Sequence, residues 1–429
     1  MNTYKMIKFT SLKFWVFLYF VLMLGQGSSL VAIYDPRINP IGISIYIFCI
    51  FYLLSRNKNR NITPSKSPLL LSFKLLLFIW FIAHLLFLDG GFPLMPYSFF
   101  VLHIITGILI IKVYHKDIIL YYEKTLVFLS IISLFFWLIE QLGGAYILLN
   151  SPVLFENSAG NSDYSLLLYT IGGASSTQEG YGTLFRNHGC AWEPGLFSVM
   201  LNIAIVFNVF RNGKFQLRNT NLLILLLALI TTFSTTGYVV FFVFIGVNHI
   251  FSKQLSTNRR IIYMFVICLL SVTIYNLPFI SNKIINAADS SNFSVGKESY
   301  LWHEKTDNTF TVQRFEGLYL DLLNVKDKPI LGYGIQRKKS FVYEAISPAI
   351  ITSNGIIKPL AQLGLILGIL FFLISYKSTV LLCRNYRLNP TWLLFVVIII
   401  SSVSYMFDST PIMRAIELYG LYNIKIDYE

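Results

Sequence analysis

Apolar runs of about twenty residues, each closed by a basic cluster or a polar loop, recur along the chain from Phe14 to Phe407. A helix rises about 1.5 Å per residue and a bilayer's hydrocarbon core is about 30 Å thick, so runs of this length read as membrane-spanning helices. The pattern places spans near 14–33, 39–55, 68–88, 97–113, 125–149, 195–210, 219–233, 238–252, 261–280, 355–376 and 391–407. The predicted class is all-α: a polytopic integral membrane protein of about 11–12 transmembrane helices, one transmembrane domain over 1–429. Lys5, Lys8 and Lys13 precede the first run, and no clear small-x-small site with Ala follows it, so it reads as an uncleaved first helix. The stretch Pro411–Tyr428, apolar in part but carrying Arg414, Glu417 and Lys425, reads as a short final span or an interfacial helix.

With the N-terminus inside, the clusters Arg56/Lys58/Arg60/Lys66, Lys112/Lys116/Lys124, Arg211/Lys214/Arg218, Lys253/Arg259/Arg260 and Lys377/Arg384/Arg387 all fall on one side. The short connections opposite carry only Arg37. That asymmetry marks the cluster side as cytoplasmic. The two long polar segments, 150–194 and 281–354, then emerge on the outer face, and any chemistry they carry is extracytoplasmic.

Composition agrees with a membrane protein: 55% hydrophobic, 16% aromatic and only 13% charged residues in 429, against about a quarter charged in soluble domains. The net charge of +13 lies in short clusters between apolar runs, as topology signals do, so nucleic-acid binding is set aside. Cys49, Cys190, Cys268 and Cys383 are far apart and follow no metal or disulfide pattern. No repeat of 20–50 residues occurs, nor a matched pair of interrupted helices of the transporter kind. Gly-rich phosphate loops, His/Glu zinc motifs and paired Asp clusters are lacking too, so no cofactor or metal is expected.

Candidate chemistry gathers in the outer loops. The first ends in Phe185-Arg186-Asn187-His188-Gly189-Cys190-Ala191-Trp192-Glu193-Pro194-Gly195 at a membrane entrance. Pro194 suits a first helical turn, and Glu193 sets a carboxylate near that helix's positive end. The plainer reading makes Glu193 a helix-start charge and Arg186 an interfacial anchor. In the second loop the apolar positions 315, 318, 319, 322 and 323 follow helical spacing, which predicts an amphipathic helix on the membrane surface with Arg314 in its first turn. Lys328-Pro329-Ile330-Leu331-Gly332-Tyr333-Gly334 then turns, and Arg337-Lys338-Lys339 follows. Cations here suit a lipid pyrophosphate, since a guanidinium binds phosphate through paired hydrogen bonds. For Arg337 to Lys339 a solvated basic patch near headgroups is the reading the sequence favours. The spans at 219–233 and 238–252 are short, so the tip Thr231-Thr232-Phe233-Ser234-Thr235-Thr236-Gly237 should sink below the outer surface, either lining a wet cavity or packing helices closely. His84 and His103, within spans, read as buried, hydrogen-bonded side chains.

Together these stretches resemble the O-antigen polymerase (Wzy) and O-antigen ligase (WaaL) family. Arg186 with Glu193-Pro194-Gly195 resembles its Arg and Glu-Pro-Gly element, Thr232–Gly237 its Ser/Thr-rich hairpin, and Arg314 through Pro329–Gly334 its large-loop signature. Ser353-Asn354, with Gly364 and Gly368 beyond, resembles its return into the membrane. Ligases place a His where this chain has Ser353, which favours polymerase. The resemblance implies a metal-independent glycosyltransferase at the outer face of a bacterial cytoplasmic membrane. It would move a growing glycan from undecaprenyl pyrophosphate onto a lipid-linked repeat unit. Arg186, Arg314 and Glu193 are then the expected catalytic residues, with His188 as a substitute base. His188, Arg337, Ser234 and Thr235 are the expected substrate contacts. Expected partners are undecaprenyl-pyrophosphate-linked oligosaccharides and membrane lipids, with a chain-length regulator left open. The alternatives are a ligase acting on lipid A core and a lipid-linked oligosaccharide flippase, although a flippase calls for ionisable groups along the spans rather than in two loops.

Overall fold

The structure is a computed structural model. It describes residues 9–25, 40–57, 68–87, 94–151, 155–156, 164–166, 168–171, 185–213, 215–251, 310–312, 314–352, 354–386, 390–403 and 410–422, with positions 258, 261 and 265. Its helices are α1 (Leu12–Leu22), α2 (Pro40–Asn57), α3 (Pro68–Phe87), α4 (Leu94–Tyr114), α5 (Ile118–Ile139), α6 (Ala145–Leu149), α7 (Pro194–Asn212), α8 (Thr220–Thr231), α9 (Thr235–Ile250), α10 (Arg314–Asp327), α11 (Ile357–Asn385), α12 (Leu393–Ser402) and α13 (Pro411–Leu418). The all-α membrane class is thus observed. By length and composition, five helical stretches among the described residues can cross a membrane: Pro40–Asn57, Pro68–Leu86, Met95–Leu149, Pro194–Asn212 and Ile357–Asn385. The third, of 55 residues, folds back at His115, whose φ is +50°, into α4 and α5. α1, α8, α9 and α12 are shorter apolar helices. The expected span 261–280 lies almost wholly outside the described residues.

Local sequence explains the boundaries. Pro opens α2, α3, α7 and α13, where a missing N–H costs nothing. The side chains of Ser11, Asn219 and Ser234 cap α1, α8 and α9 by accepting backbone N–H groups of the first turn. Gly213, with φ +70°, closes α7 in the left-handed conformation. α5 starts at Ile118, earlier than the expected 125, because Glu123 is paired rather than excluded. It is fully buried, bonded to Arg211 (Nε–Oε2 2.7 Å, Nη2–Oε1 2.8 Å), Asn208 and Asn221.

α7 is the hub: every residue from Pro194 to Phe210 is buried, against α5, α8, α9 and α12. A second group packs α13 against α4 and α11, with α2 behind α4 and α3 against α11. α13 corrects the reading of the C-terminal stretch as a final span or an interfacial helix, since it has only eight residues and all of them are buried in the bundle. Arg414 there bonds Glu417 at 3.2 Å and lies 4.6 Å from the Phe371 ring centre and 5.4 Å from that of Phe100. Self-neutralising pairing and ring faces let a guanidinium sit among apolar helices. These two ion pairs set ionisable groups inside the bundle as well as in the two outer loops where the sequence concentrates them.

Among the described residues, Lys13, Lys116 and Tyr386 lie together at one end of the bundle. Tyr114 donates to the Lys13 carbonyl, the Lys13 ammonium lies 4.9 Å from the Tyr114 and Tyr121 rings, and Tyr386 donates to the Lys116 carbonyl. At the other end, strands β1 (Phe155–Glu156), β2 (Tyr164–Leu166) and β3 (Tyr169–Ile171) form an antiparallel sheet. It is pinned where Tyr169 donates to the buried Glu140 at 2.5 Å. The second loop folds around its own small core of Val312, Leu320, Val342 and Ile350, with β4 (Phe310–Thr311) parallel to β5 (Ile350–Ile351). The expected helix there exists as α10, but its packed face is different. Gly317, Leu320, Asp321 and Asn324 are buried, whereas Tyr319 and Leu322 are 45% and 44% exposed. Polar bonding decides this. Asp321 accepts from Thr352 at 2.8 Å, and Asn324 accepts the Val342 N–H at 3.0 Å.

Candidate functional site

The segment Phe185–Glu193 is fastened on several sides before it enters α7. Trp137 Nε1 and Gln141 Nε2 both donate to the Phe185 carbonyl at 2.8 Å. The Asn187 N–H donates to the Thr231 carbonyl, and its side chain bonds Thr231 Oγ1 and Ser133 Oγ. The Gly189 carbonyl accepts from Thr170 on β3, and the Gly25 carbonyl accepts from the Trp192 N–H. With both neighbours so held, Arg186 is delivered to the hairpin tip, where its Nε donates to the Thr232 carbonyl at 3.1 Å.

The tip is a built feature. α8 and α9 have 12 and 16 residues, too few to span about 30 Å at about 1.5 Å each. Phe233 holds φ at +46°, a conformation bulky residues rarely adopt. Thr231, Thr232 and Ser234 are buried. Ser198 donates to Ser234 at 3.0 Å, and Asn202 donates across to the Gly237 carbonyl, joining the tip to α7. The hydroxyls therefore serve close helix packing as well as the tip's own backbone.

Sequence-predicted residues fall into two groups. Arg186, His188, Ser234 and Thr235 share this neighbourhood, with Thr235 half-buried as the first residue of α9. Glu193 is the N-cap of α7, extended and half-buried, and its side chain does not cap the helix. His188 is buried, and neither ring nitrogen makes a well-formed hydrogen bond. Burial first, then the Arg186 charge, hold it at about 3 against a slight pull from the Trp192 backbone, so the ring stays neutral. Burial also pushes the Cys190 thiol up to about 12.

The second group lies in the other loop. Arg314 is the first residue of α10; its side chain and the whole of Ser353 lie outside the described residues. Arg337 is less a solvated patch than a loop tie: its Nη2 donates to the Pro348 carbonyl and its guanidinium lies 5.4 Å from the Tyr343 ring. Asn354 caps α11 by accepting the N–H groups of Ile356 and Ile357, and the Gly355 N–H donates to the Ser402 carbonyl.

Between these lies a backbone splice. α11 breaks at Gly364 (φ 78°, ψ 166°), freeing the carbonyls of Ala361 and Gln362. They accept the N–H groups of Tyr333 and Gly334 at 2.9 and 3.1 Å, and the Leu365 N–H donates to the Pro329 carbonyl at 2.8 Å. A broken helix among apolar spans is tolerable only when such freed groups are paired within the protein. Side chains at Gly332 and Gly364 would overlap the carbonyls of Gln362 and Ile330. Trp80 and His84 of α3 both bond the Leu331 carbonyl, at 2.8 and 3.0 Å, in keeping with a buried, bonded His84.

Sequence reasoning missed Asp321. It is fully buried, one carboxylate oxygen has no hydrogen-bond partner, and Lys358 lies near. Burial raises it to about 6 despite the Lys358 charge and the bonds from Thr352 and Asn324. The signal was Asp321 and Asn324 three apart beside Gly317, a polar stripe overlooked beside the apolar one.

Among the described residues no three His, Cys, Asp or Glu side chains gather as metal ligands would, and Cys49, Cys190 and Cys383 are buried and form no disulfide. The architecture is thus that of a multi-pass membrane protein. Residues 220–372, from α8 through the splice into α11, match the family model described as O-Antigen ligase. The resemblance read from the motifs is borne out over that stretch, about a third of the chain, which is similar to the O-antigen ligase family; Arg186 and Glu193-Pro194-Gly195 lie before it. Among curated proteins, none matches the chain.

Proposed function

We propose that this protein is a polymerase of lipid-linked oligosaccharide repeat units, working at the outer face of a bacterial cytoplasmic membrane. It transfers a growing glycan from an undecaprenyl-pyrophosphate carrier to the repeat unit on a second carrier. The observation that carries the reading is Arg186, held on the Thr232 carbonyl at the buried tip beside the N-terminus of α7. The leaving group is a lipid pyrophosphate, so the reaction needs fixed positive charge where negative charge develops. In this mechanism Arg186 and Arg314 supply that charge without a metal. Glu193 takes the acceptor hydroxyl's proton or orients an arginine. Neutral His188, disfavoured as a base by burial, serves as a polar contact instead. Ser353, standing where ligases place a His, supports polymerase over ligase.

The test is glycan polymerisation by purified protein in EDTA, with product length read on gels. Arg186→Ala and Arg314→Ala should each abolish long-chain product at unchanged membrane abundance, and Lys at either position should recover little. Loss of such a group costs about 3–4 kcal/mol, a hundredfold to a thousandfold in rate. Near-normal polymer from either Ala variant removes that residue from the site, and full loss in EDTA, restored by magnesium, overturns the metal-free mechanism.

A further inference from the structure

A cavity of about 520 Å³ opens where the loop end of α3 meets the second loop, beside the backbone splice. It is lined by Ala83 and the buried His84 of α3 and by side chains of both signs, Lys328, Lys339 and the exposed Glu344. Lys328 donates to the Lys339 carbonyl at 2.8 Å and stands 3.8 Å from Asp327, so the rim is close to neutral overall. The rim is also apolar: Ile330 is 66% exposed. Next to the cavity, at the loop end of α3, Leu85 and Leu86 are 45% and 69% exposed, and the helix's exposed apolar residues continue away from it through Ile79, Phe78, Leu75 and Leu71. An exposed apolar helix face leading up to a cavity lined with cations and a carboxylate is the complement of a zwitterionic amphiphile.

We infer that this cavity is a binding site for the head of a phospholipid bearing a primary ammonium and a phosphate, phosphatidylethanolamine in chemical class, its acyl chains lying along α3. The phosphate sits against Lys328 and Lys339, and the ammonium donates to Glu344. A quaternary ammonium has no N–H to donate. A purely anionic head would leave Glu344 facing a like charge. The inference stands apart from the polymerase reading, because none of these residues belongs to the Arg186 centre.

The experiment is native mass spectrometry of the purified protein given equal amounts of phosphatidylethanolamine, phosphatidylcholine and phosphatidylglycerol, with free phosphoethanolamine and inorganic phosphate as headgroup-only arms. Phosphatidylethanolamine should be retained about tenfold over the other two, the size of one charge-assisted hydrogen bond. Glu344→Gln should erase its advantage over phosphatidylcholine, while Lys339→Gln should lower retention of all three. Ala83→Phe, filling the cavity without touching a charge, should also expel the lipid, which keeps the test decisive if a charge variant folds poorly. Equal retention of the three lipids, phosphatidylglycerol retained best, an unchanged ratio in Glu344→Gln, or headgroup-only binding as tight as the lipid's would each overturn the assignment.

Discussion

Glu123→Ala should be among the most damaging single changes at the basic end of the bundle. The carboxylate is fully buried and receives four hydrogen bonds of 2.7–2.9 Å, two of them from one guanidinium in a forked pair. Deleting it leaves Arg211, only 12% exposed, without its counter-charge, and removes an acceptor from Asn208 and Asn221. Breaking one side of a buried pair typically costs about 3–5 kcal/mol, and each orphaned amide adds about 1 kcal/mol or more where it cannot turn to another acceptor. A loss of about 4 kcal/mol predicts a fall in unfolding temperature of about 4 °C for a chain of this length, measurable by thermal size-exclusion of detergent-solubilised protein. The double variant Glu123→Leu with Arg211→Leu should recover most of that loss, since an apolar pair pays no desolvation; Lys214 and Arg218 keep the connection basic. A single variant melting within about 2 °C of the parent, or a double variant as unstable as the two losses summed, would refute the reasoning.

Three further outcomes are expected. Gly364→Ala should give aggregated or absent protein, because its φ and ψ belong to a region reserved for glycine and the new Cβ would overlap the Ile330 carbonyl; a monodisperse peak at parental yield on fluorescence size-exclusion would count against the splice. Asp321→Asn should raise the melting temperature at pH 8, about half as much at pH 5, and not at pH 3. A carboxyl moved by burial from 3.8 to about 6 favours the fold only below those values and costs it about 3 kcal/mol once ionised, with the change spread over pH 4–6. An Asn variant no more stable than the parent at pH 8 would show that Asp321 ionises without penalty. Finally, single cysteines at Asn161 and Ser291 should react with an impermeant maleimide in intact spheroplasts, and one at Asn59 should not; the reverse labelling sinks the assigned orientation.

Much of this protein was legible along the chain because its solvent is a bilayer. Hydropathy alone separates spans from loops, and every expected span within the described residues coincides with a helix. Lys13, Lys116 and Tyr386, far apart in sequence, meet at one end. The Arg186 and Ser/Thr elements were readable as local motifs, since short runs of polar residues at membrane boundaries are costly and so conspicuous. Only tertiary structure decided which surfaces those residues share. The inward face of α10 went to Asp321 and Asn324, whose partners Thr352 and Val342 lie far along the chain. The burial of α13 depends on Glu417 and two phenylalanine rings neutralising Arg414, which hydropathy counts as a charge to be expelled. The glycines at 332 and 364 are spaced like ordinary loop and helix residues, and their purpose, a backbone-to-backbone splice, exists only once the turn lies against the broken helix. Periodicity registers what each residue prefers as a solvent, whereas pairing between distant groups cancels that preference and so leaves no trace in the local pattern.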